Sequence, residues 1–86
     1  MTLTQRVEVI ADCMNNSFML RISYKKIDGG RIVVRIVEPY EMKEENGKMF
    51  LYAYDKRGIK ETIKSFLLNN ILSTYKQRIK FKPRNF

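Results

Sequence analysis

Histidine is absent from this chain of 86 residues, and cysteine occurs only at position 13. Without histidine and with a single cysteine, neither a Cys/His zinc site nor a His-based catalytic triad can form. Cys13 has no second cysteine to pair with, which excludes an internal disulfide and makes the cytoplasm the default compartment. The chain has nine carboxylates, and Glu41, Glu44 and Glu45 crowd one short stretch. These shortages argue against an enzyme, a bound metal and a cofactor.

Long apolar runs are also missing. No stretch approaches the roughly 18 residues of a membrane span, and the N-terminus lacks the basic-then-apolar layout of a signal peptide. The residues that are present suit a packed globule, since 44% are hydrophobic and 12% are aromatic. We therefore expect residues 1–86 to form a single domain without a membrane segment.

Positive charge is concentrated in the last third of the chain. The net charge is +8, from 17 basic and 9 acidic residues. Residues 1–55 hold eight of each and sum to zero, which leaves nine basic residues against one acid, Glu61, in residues 56–86. This asymmetry predicts an anionic partner for the C-terminal third.

The first segment has helical periodicity. Apolar residues recur at Leu3, Val7, Ile10 and Met14, and Thr2 with a glutamine three residues later fits a capping box. The pattern predicts a helix over about residues 3–15. Its apolar face either packs onto the rest of the domain or contacts a second copy or another partner.

The remainder alternates between apolar and polar residues and is punctuated by turn signals, which predicts five strands. We place them at residues 18–27, 31–38, 48–55, 59–68 and 71–82, separated by turns at 28–30, 46–47, 56–58 and 69–70. Pro39 is expected to bend or end the second strand, because proline cannot donate to a ladder. Five short strands in so few residues predict a mostly β fold with an N-terminal α-helix, in which the strands of about residues 18–82 form a small barrel.

The fifth strand carries a basic row, Lys76, Arg78, Lys80 and Lys82. Alternation puts these side chains on one side, about 6.8 Å apart, so that the row spans about 20 Å. Arg84 extends the run to five cations without an intervening acid. The row is typical of binding to a phosphate backbone, and four contacts with a single strand predict a slope of log K against log salt of about −3. Protection of a sheet edge and docking to an acidic protein are the alternatives.

Residues 18–75 resemble the WYL domain, an Sm-like barrel of SH3 type found in bacterial regulators. The likeness rests on the tyrosine that ends the first strand, Tyr24, on Arg35 ahead of a Glu38-Pro39 pair, and on Tyr54-Asp55 before a turn. Gly47-Lys48 leading into an aromatic strand and the later "KSFLLNNILS" also fit the family. Family members carry a DNA-binding helix-turn-helix domain in front and an extension behind. We expect this chain, which has neither, not to be a complete repressor by itself.

The resemblance implies a basic pocket that senses a nucleic acid or a nucleotide-like ligand. Tyr24, Arg35 and Lys64 are the residues of this chain that match it. Other positions depart from the family pattern. Met49-Phe50-Leu51 stands where the family has Trp-Tyr-Leu, and Leu67 and Asn70 stand where it has arginines.

Each of the three pocket residues also has a structural interpretation. Tyr24 fits an aromatic core position with its hydroxyl at the rim. Arg35 lies on a mixed face, so we expect an anionic partner, either Glu38 or a ligand. Lys64 fits a solvated strand face. Tyr52 and Tyr54 similarly suit either a stacking platform for bases or a hydrophobic layer.

Taken together, the residues and the resemblance predict a non-enzymatic regulatory accessory domain, with a role such as transcription regulation or phage or bacterial defence. Its expected ligand is anionic, foremost single-stranded nucleic acid or an oligonucleotide. The alternatives are a protein-interaction module, as an adaptor, inhibitor or homodimer, and a sponge for a nucleotide messenger.

Overall fold

The computed structural model describes residues 1–56 and 62–84. The predicted turn at 56–58 extends beyond the described residues, and so do the first residues of the predicted fourth strand, 59–61. The helix of the described chain is not long and apolar enough to cross a membrane.

The N-terminal helix, α1, runs from Leu3 to Asn16 and confirms the predicted element. Its start is a complete capping box, because the Gln5 amide donates to the Thr2 hydroxyl at 3.1 Å while the Gln5 side chain accepts from the Thr2 amide at 2.8 Å. Its end is set by Ser17, whose φ of 58° lies in the left-handed region.

Five antiparallel strands follow, and with α1 they confirm a mostly β fold with an N-terminal helix. The strands are β1 (Phe18–Lys25), β2 (Ile32–Glu45), β3 (Lys48–Asp55), β4 (Thr62–Leu67) and β5 (Ile71–Lys80), with a 3-10 turn at Leu68–Asn70. They form one sheet in the order β4-β3-β2-β1-β5. Within the residues that the structure describes, β4 and β5 are edges that do not pair with each other, so closure into a barrel is not confirmed.

Strand β2 is longer than the sequence suggested and passes through Pro39. Its first half pairs with β1 and its second half with β3, and the register with β3 shifts between Pro39 and Glu41. A bulge at this point lets the strand continue past a residue that has no amide hydrogen. Asn46 and Gly47, with φ of 53° and 77°, then turn the chain into β3, as the hairpin signal predicted.

The core lies between α1 and the sheet face that carries Leu20 and Ile22. We call this the inner face, and the opposite side of the sheet the outer face. The side chains of the buried apolar cluster come from the helix, the sheet and the 3-10 turn: Ile10, Cys13, Leu20, Ile22, Val37, Leu51, Ala53, Phe66, Leu68 and Ile71. Burial of this cluster fixes which residues of each strand point inward, and thereby positions the sites described next.

Candidate functional site

The three pocket residues predicted from the sequence line one small cavity on the inner face. We call it the inner cavity. Its volume is about 160 Å³, and its lining includes Tyr24, Lys26, Arg35, Asp55, Lys64 and Phe66. The described lining therefore contains three cations and one carboxylate, an excess of positive charge.

Strand register brings these side chains together although they are far apart in the chain. Tyr24 pairs with Val33 across β1 and β2, which places Arg35 two residues along on the same face. Lys64 of β4 pairs with Ala53, so its side chain lies beside Asp55 on that face. The convergence is thus a consequence of inward-facing positions on four neighbouring strands.

Asp55 is the anionic partner of Arg35, where the sequence suggested Glu38 or a ligand. The carboxylate is 2% exposed and lies 3.1 Å from Lys64 Nζ and 3.7 Å from Arg35 Nε. Arg35 Nη1 also donates to the carbonyl of Val34 at 2.8 Å. Glu38 is three residues beyond Arg35, and alternation places it on the outer face, out of reach.

Tyr24 has the packing that its structural interpretation predicted, and its contact with a ligand stays a prediction. Its ring packs edge-on against Phe66, with centroids 5.1 Å apart and an interplanar angle of 86°. Its hydroxyl accepts a hydrogen bond from the Leu67 amide at 3.3 Å and borders the inner cavity. The residue is therefore half-buried and anchored, with its hydroxyl at the edge of the site.

The basic row begins on the same side of the sheet as α1. Lys76 forms an ion pair with Asp12 of the helix at 3.1 Å, and its Nζ lies 4.9 Å from the centre of the Phe18 ring. Lys80 lies over the same ring at 5.1 Å. Strand β5 ends at Lys80, so Lys82 lies beyond the last paired residue of the row.

Two carboxylates bind cations of the C-terminal run, which the sequence could not reveal. Besides the Asp12–Lys76 pair, Glu38 receives Arg84 in a two-pronged contact, with Nε 3.0 Å from one oxygen and Nη2 2.9 Å from the other. Among the described residues, Arg78, Lys80 and Lys82 have no carboxylate partner. Binding of nucleic acid by the row stays a prediction. These three side chains are the members of the row that are most available to a phosphate.

The Asp12–Lys76 pair also lowers the pKa of the helix carboxylate. The hydrogen bond from Lys76 and a second one from the Asn16 amide, at 2.7 Å, hold the pKa of Asp12 below its usual value. Asp12 is therefore available as an ionised partner of Lys76, at the first position of the row.

The inner cavity and the basic row lie toward opposite ends of the β1–β5 pair. Tyr24 pairs with Ile71 at the beginning of β5, whereas Phe18 pairs with Lys80 at its end. Six residues of extended strand separate Tyr24 from Phe18, a distance of about 20 Å. A ligand that touches both the inner cavity and Lys80 must span about this distance.

A larger concavity, which sequence reasoning missed, lies on the outer face. This outer groove has a volume of about 620 Å³ and an apolar lining formed by Met19, Ile36, Ile79 and Phe81. Charged side chains border it: Glu38, Lys56, Lys80, Lys82 and Arg84. The signal in the sequence was Ile79, an aliphatic residue in the middle of the basic row. In the structure its side chain is 68% exposed.

The aromatic pair of β3 has polar partners. Tyr52 donates a hydrogen bond to the carboxylate of Glu45, which together with partial burial raises the pKa of the Tyr52 hydroxyl. The ring of Tyr54 lies 4.2 Å beneath the guanidinium of Arg84 and meets Tyr40 edge-on at 5.6 Å. Arg84 thus occupies the ring face on which a base would stack.

Comparison with protein families identifies the fold family of this chain. The model of the WYL domain matches residues 5–75 of this chain. Among solved structures, proteasome accessory factor B/C (PafBC) of Arthrobacter aurescens matches with a TM-score of 0.80 and 17% sequence identity, over 98% of this chain and 14% of that chain. At this identity the likeness shows a shared fold, and this chain spans a small part of the larger protein. The curated proteins contain no match.

Proposed function

Because the chain belongs to the WYL domain family, we propose that it is a non-enzymatic regulatory domain that senses an anionic ligand, single-stranded nucleic acid or an oligonucleotide. The family and the fold support a regulatory role. The inner cavity and the basic row support the choice of ligand, since both present cations to a ligand of sufficient length.

The observation that carries the proposal is the convergence of Tyr24, Arg35 and Lys64 in one cavity. Arg35 and Lys64 share Asp55, so one carboxylate partly neutralises two cations, and Lys26 adds a third positive charge. A phosphate that enters the cavity gains from this excess of positive charge. The volume of about 160 Å³ suits a single phosphate group or the end of a strand rather than a whole nucleotide.

The basic row supplies the second contact. Arg78, Lys80 and Lys82 attract phosphates without first giving up a carboxylate of the described chain. Each contact with a single strand contributes about 0.7 to the slope of log K against log salt, so the row contributes about −2. Lys76 is paired with Asp12, so the magnitude of this slope is smaller than the value of about 3 that the sequence alone predicted.

The distance between the inner cavity and the end of the basic row bears on the length of the proposed ligand. About 20 Å lies between the ends of the β1–β5 pair, so a mononucleotide reaches one region only. A single strand of about 12 nucleotides, within the site sizes of small barrels that bind single strands, reaches both. The proposal thus favours an oligonucleotide over a nucleotide messenger.

Fluorescence anisotropy with a labelled single strand of about 12 nucleotides, at several salt concentrations, tests the proposal. The double variant Lys80→Ala with Lys82→Ala is expected to lower the magnitude of the salt slope by about 1.4. The matched control is Lys43→Ala with Lys48→Ala, which removes the same net charge from exposed positions next to the β2–β3 turn. This control is expected to leave the slope unchanged.

Lys64→Gln tests the contribution of the inner cavity, because the lysine is 41% exposed at its side chain and glutamine keeps a donor for Asp55. The variant is expected to bind the long strand about fivefold more weakly at 0.1 M salt, the effect of one lost phosphate contact. A flat salt response, equal slopes for the two double variants, or equal affinity for a mononucleotide and the long strand would contradict the proposal.

A further inference from the structure

The outer groove has the properties of a ligand site that is distinct from the inner cavity. Its volume of about 620 Å³ lies within the range of about 300–1,000 Å³ typical of small-molecule sites. It opens on the outer face, whereas the inner cavity faces the side of the sheet that α1 covers. Neither the family resemblance nor the proposed function assigns it a ligand.

The apolar lining selects for an aliphatic group. Met19, Ile36 and Ile79 are flexible or branched aliphatic side chains, and Phe81 is the one aromatic residue among the groove's described apolar residues. Phe81 is held in place, because its amide donates to the Ser17 carbonyl at 2.9 Å and its ring packs at 5.4 Å from Tyr40. Such a surface gains by covering a hydrocarbon chain and offers little area for stacking a flat ring.

The charges at the rim select for an anionic head group. Glu38 is the only acid among the described residues that line the groove, and it is 3% exposed. It is already bound by Arg84 and by Lys56, whose Nζ lies 3.2 Å from the carboxylate. Lys82 has no carboxylate partner within the described chain, so the end of the groove that it borders carries positive charge that an anion can neutralise.

We propose that the outer groove binds a single amphiphilic anion, an aliphatic chain that ends in a carboxylate or a phosphate. The chain lies along Met19, Ile36 and Ile79, and the head group lies at Lys82. The concave shape accommodates one free molecule, whereas the flat surface of a bilayer does not enter it.

Calorimetric titration of the whole chain with hexanoate, octanoate and decanoate, each below its micelle-forming concentration, tests the proposal. Affinity is expected to rise with each added methylene, by up to about fourfold where the methylene is fully buried. The alcohol of the same length is expected to bind about tenfold more weakly, because it lacks the charge-assisted contact with Lys82. None of these probes contains a phosphodiester, so the result is independent of nucleic-acid binding.

Two variants locate the hydrocarbon chain. Ile79→Ser removes an apolar side chain of the groove and is expected to weaken decanoate binding about fourfold or more, the effect of at least one buried methylene. Ile32→Ser is the matched control, since Ile32 is similarly exposed, at 59% against 68%, but lies outside the groove. Both side chains are largely solvent-exposed, so neither change is expected to unfold the protein.

Lys82→Gln locates the head group and is expected to weaken the binding of decanoate but not of decanol, whereas Lys43→Gln changes neither. An affinity independent of chain length, equal losses for Ile79→Ser and Ile32→Ser, or binding to anionic vesicles without binding to the free amphiphile would overturn the proposal.

Discussion

Removal of the charge of Asp12 is expected to strengthen nucleic-acid binding. Asp12 lies on α1, 64 residues before Lys76, and its carboxylate is 3.1 Å from the lysine Nζ. Both side chains are partly exposed, at 43% and 47%, so phosphates in solution can reach the lysine once the pair is broken. In Asp12→Asn the carboxylate is absent, and Lys76 joins Arg78, Lys80 and Lys82 as a fourth available cation.

The size of the effect follows from counterion release. One additional contact with a single strand steepens the slope of log K against log salt by about 0.7. At 0.1 M salt this corresponds to an increase in affinity of up to about fivefold, and at higher salt to a smaller one. The amide retains a hydrogen-bonding group beside Asn16, so the helix is expected to stay intact.

The assay is fluorescence anisotropy with a labelled single strand across a salt series, and the matched control is Glu8→Gln. Glu8 lies on the same helix and is exposed, and its neutralisation changes the net charge by the same amount. If attraction by net charge alone governs binding, the two variants will gain equally. Equal gains would contradict the prediction, because only Asp12→Asn releases Lys76 from its ion pair.

Three further predictions concern stability and titration. Leu51 is fully buried in the core. Leu51→Ala is expected to lower the free energy of unfolding by about 2–5 kcal/mol, as measured by denaturant unfolding. Burial raises the pKa of the Cys13 thiol to about 11, so a thiol reagent at pH 8 should react slowly with the native protein and rapidly once denaturant exposes the side chain. The hydrogen bond to Glu45 raises the pKa of the Tyr52 hydroxyl. The bond therefore contributes stability below pH 10, which is lost as the pH rises through the raised pKa. In an ultraviolet titration, Glu45→Gln should move the ionisation of Tyr52 to lower pH.

Much of the fold was predictable because its signals are local. The capping box at Thr2, the apolar spacing of α1 and the Asn46-Gly47 turn each act within a few residues, and the structure contains all three. Pro39 was read locally as a bend or an end, but the bulge beside it depends on pairing with β3. The length of β2 is therefore a property of the sheet and not of the proline alone.

The family resemblance named three candidate residues of the site, but it did not reveal their ion pairing. The family resemblance singled out Tyr24, Arg35 and Lys64, and the register of four strands placed them around one cavity. Their shared partner, Asp55, follows from the pairing of β3 with β2 and β4. Periodicity within a single strand contains no information about which carboxylate its neighbours present.

The amino-acid sequence by itself determined the helix, the succession of five strands along the chain and the excess of positive charge in the last third. Only the tertiary structure decided which of those charges remain available, because Asp12 and Glu38 reach Lys76 and Arg84 from positions 64 and 46 residues away. The physical reason is that composition and periodicity act along the chain, whereas ion pairing and the outer groove arise from strand register and from the packing of the helix on the sheet.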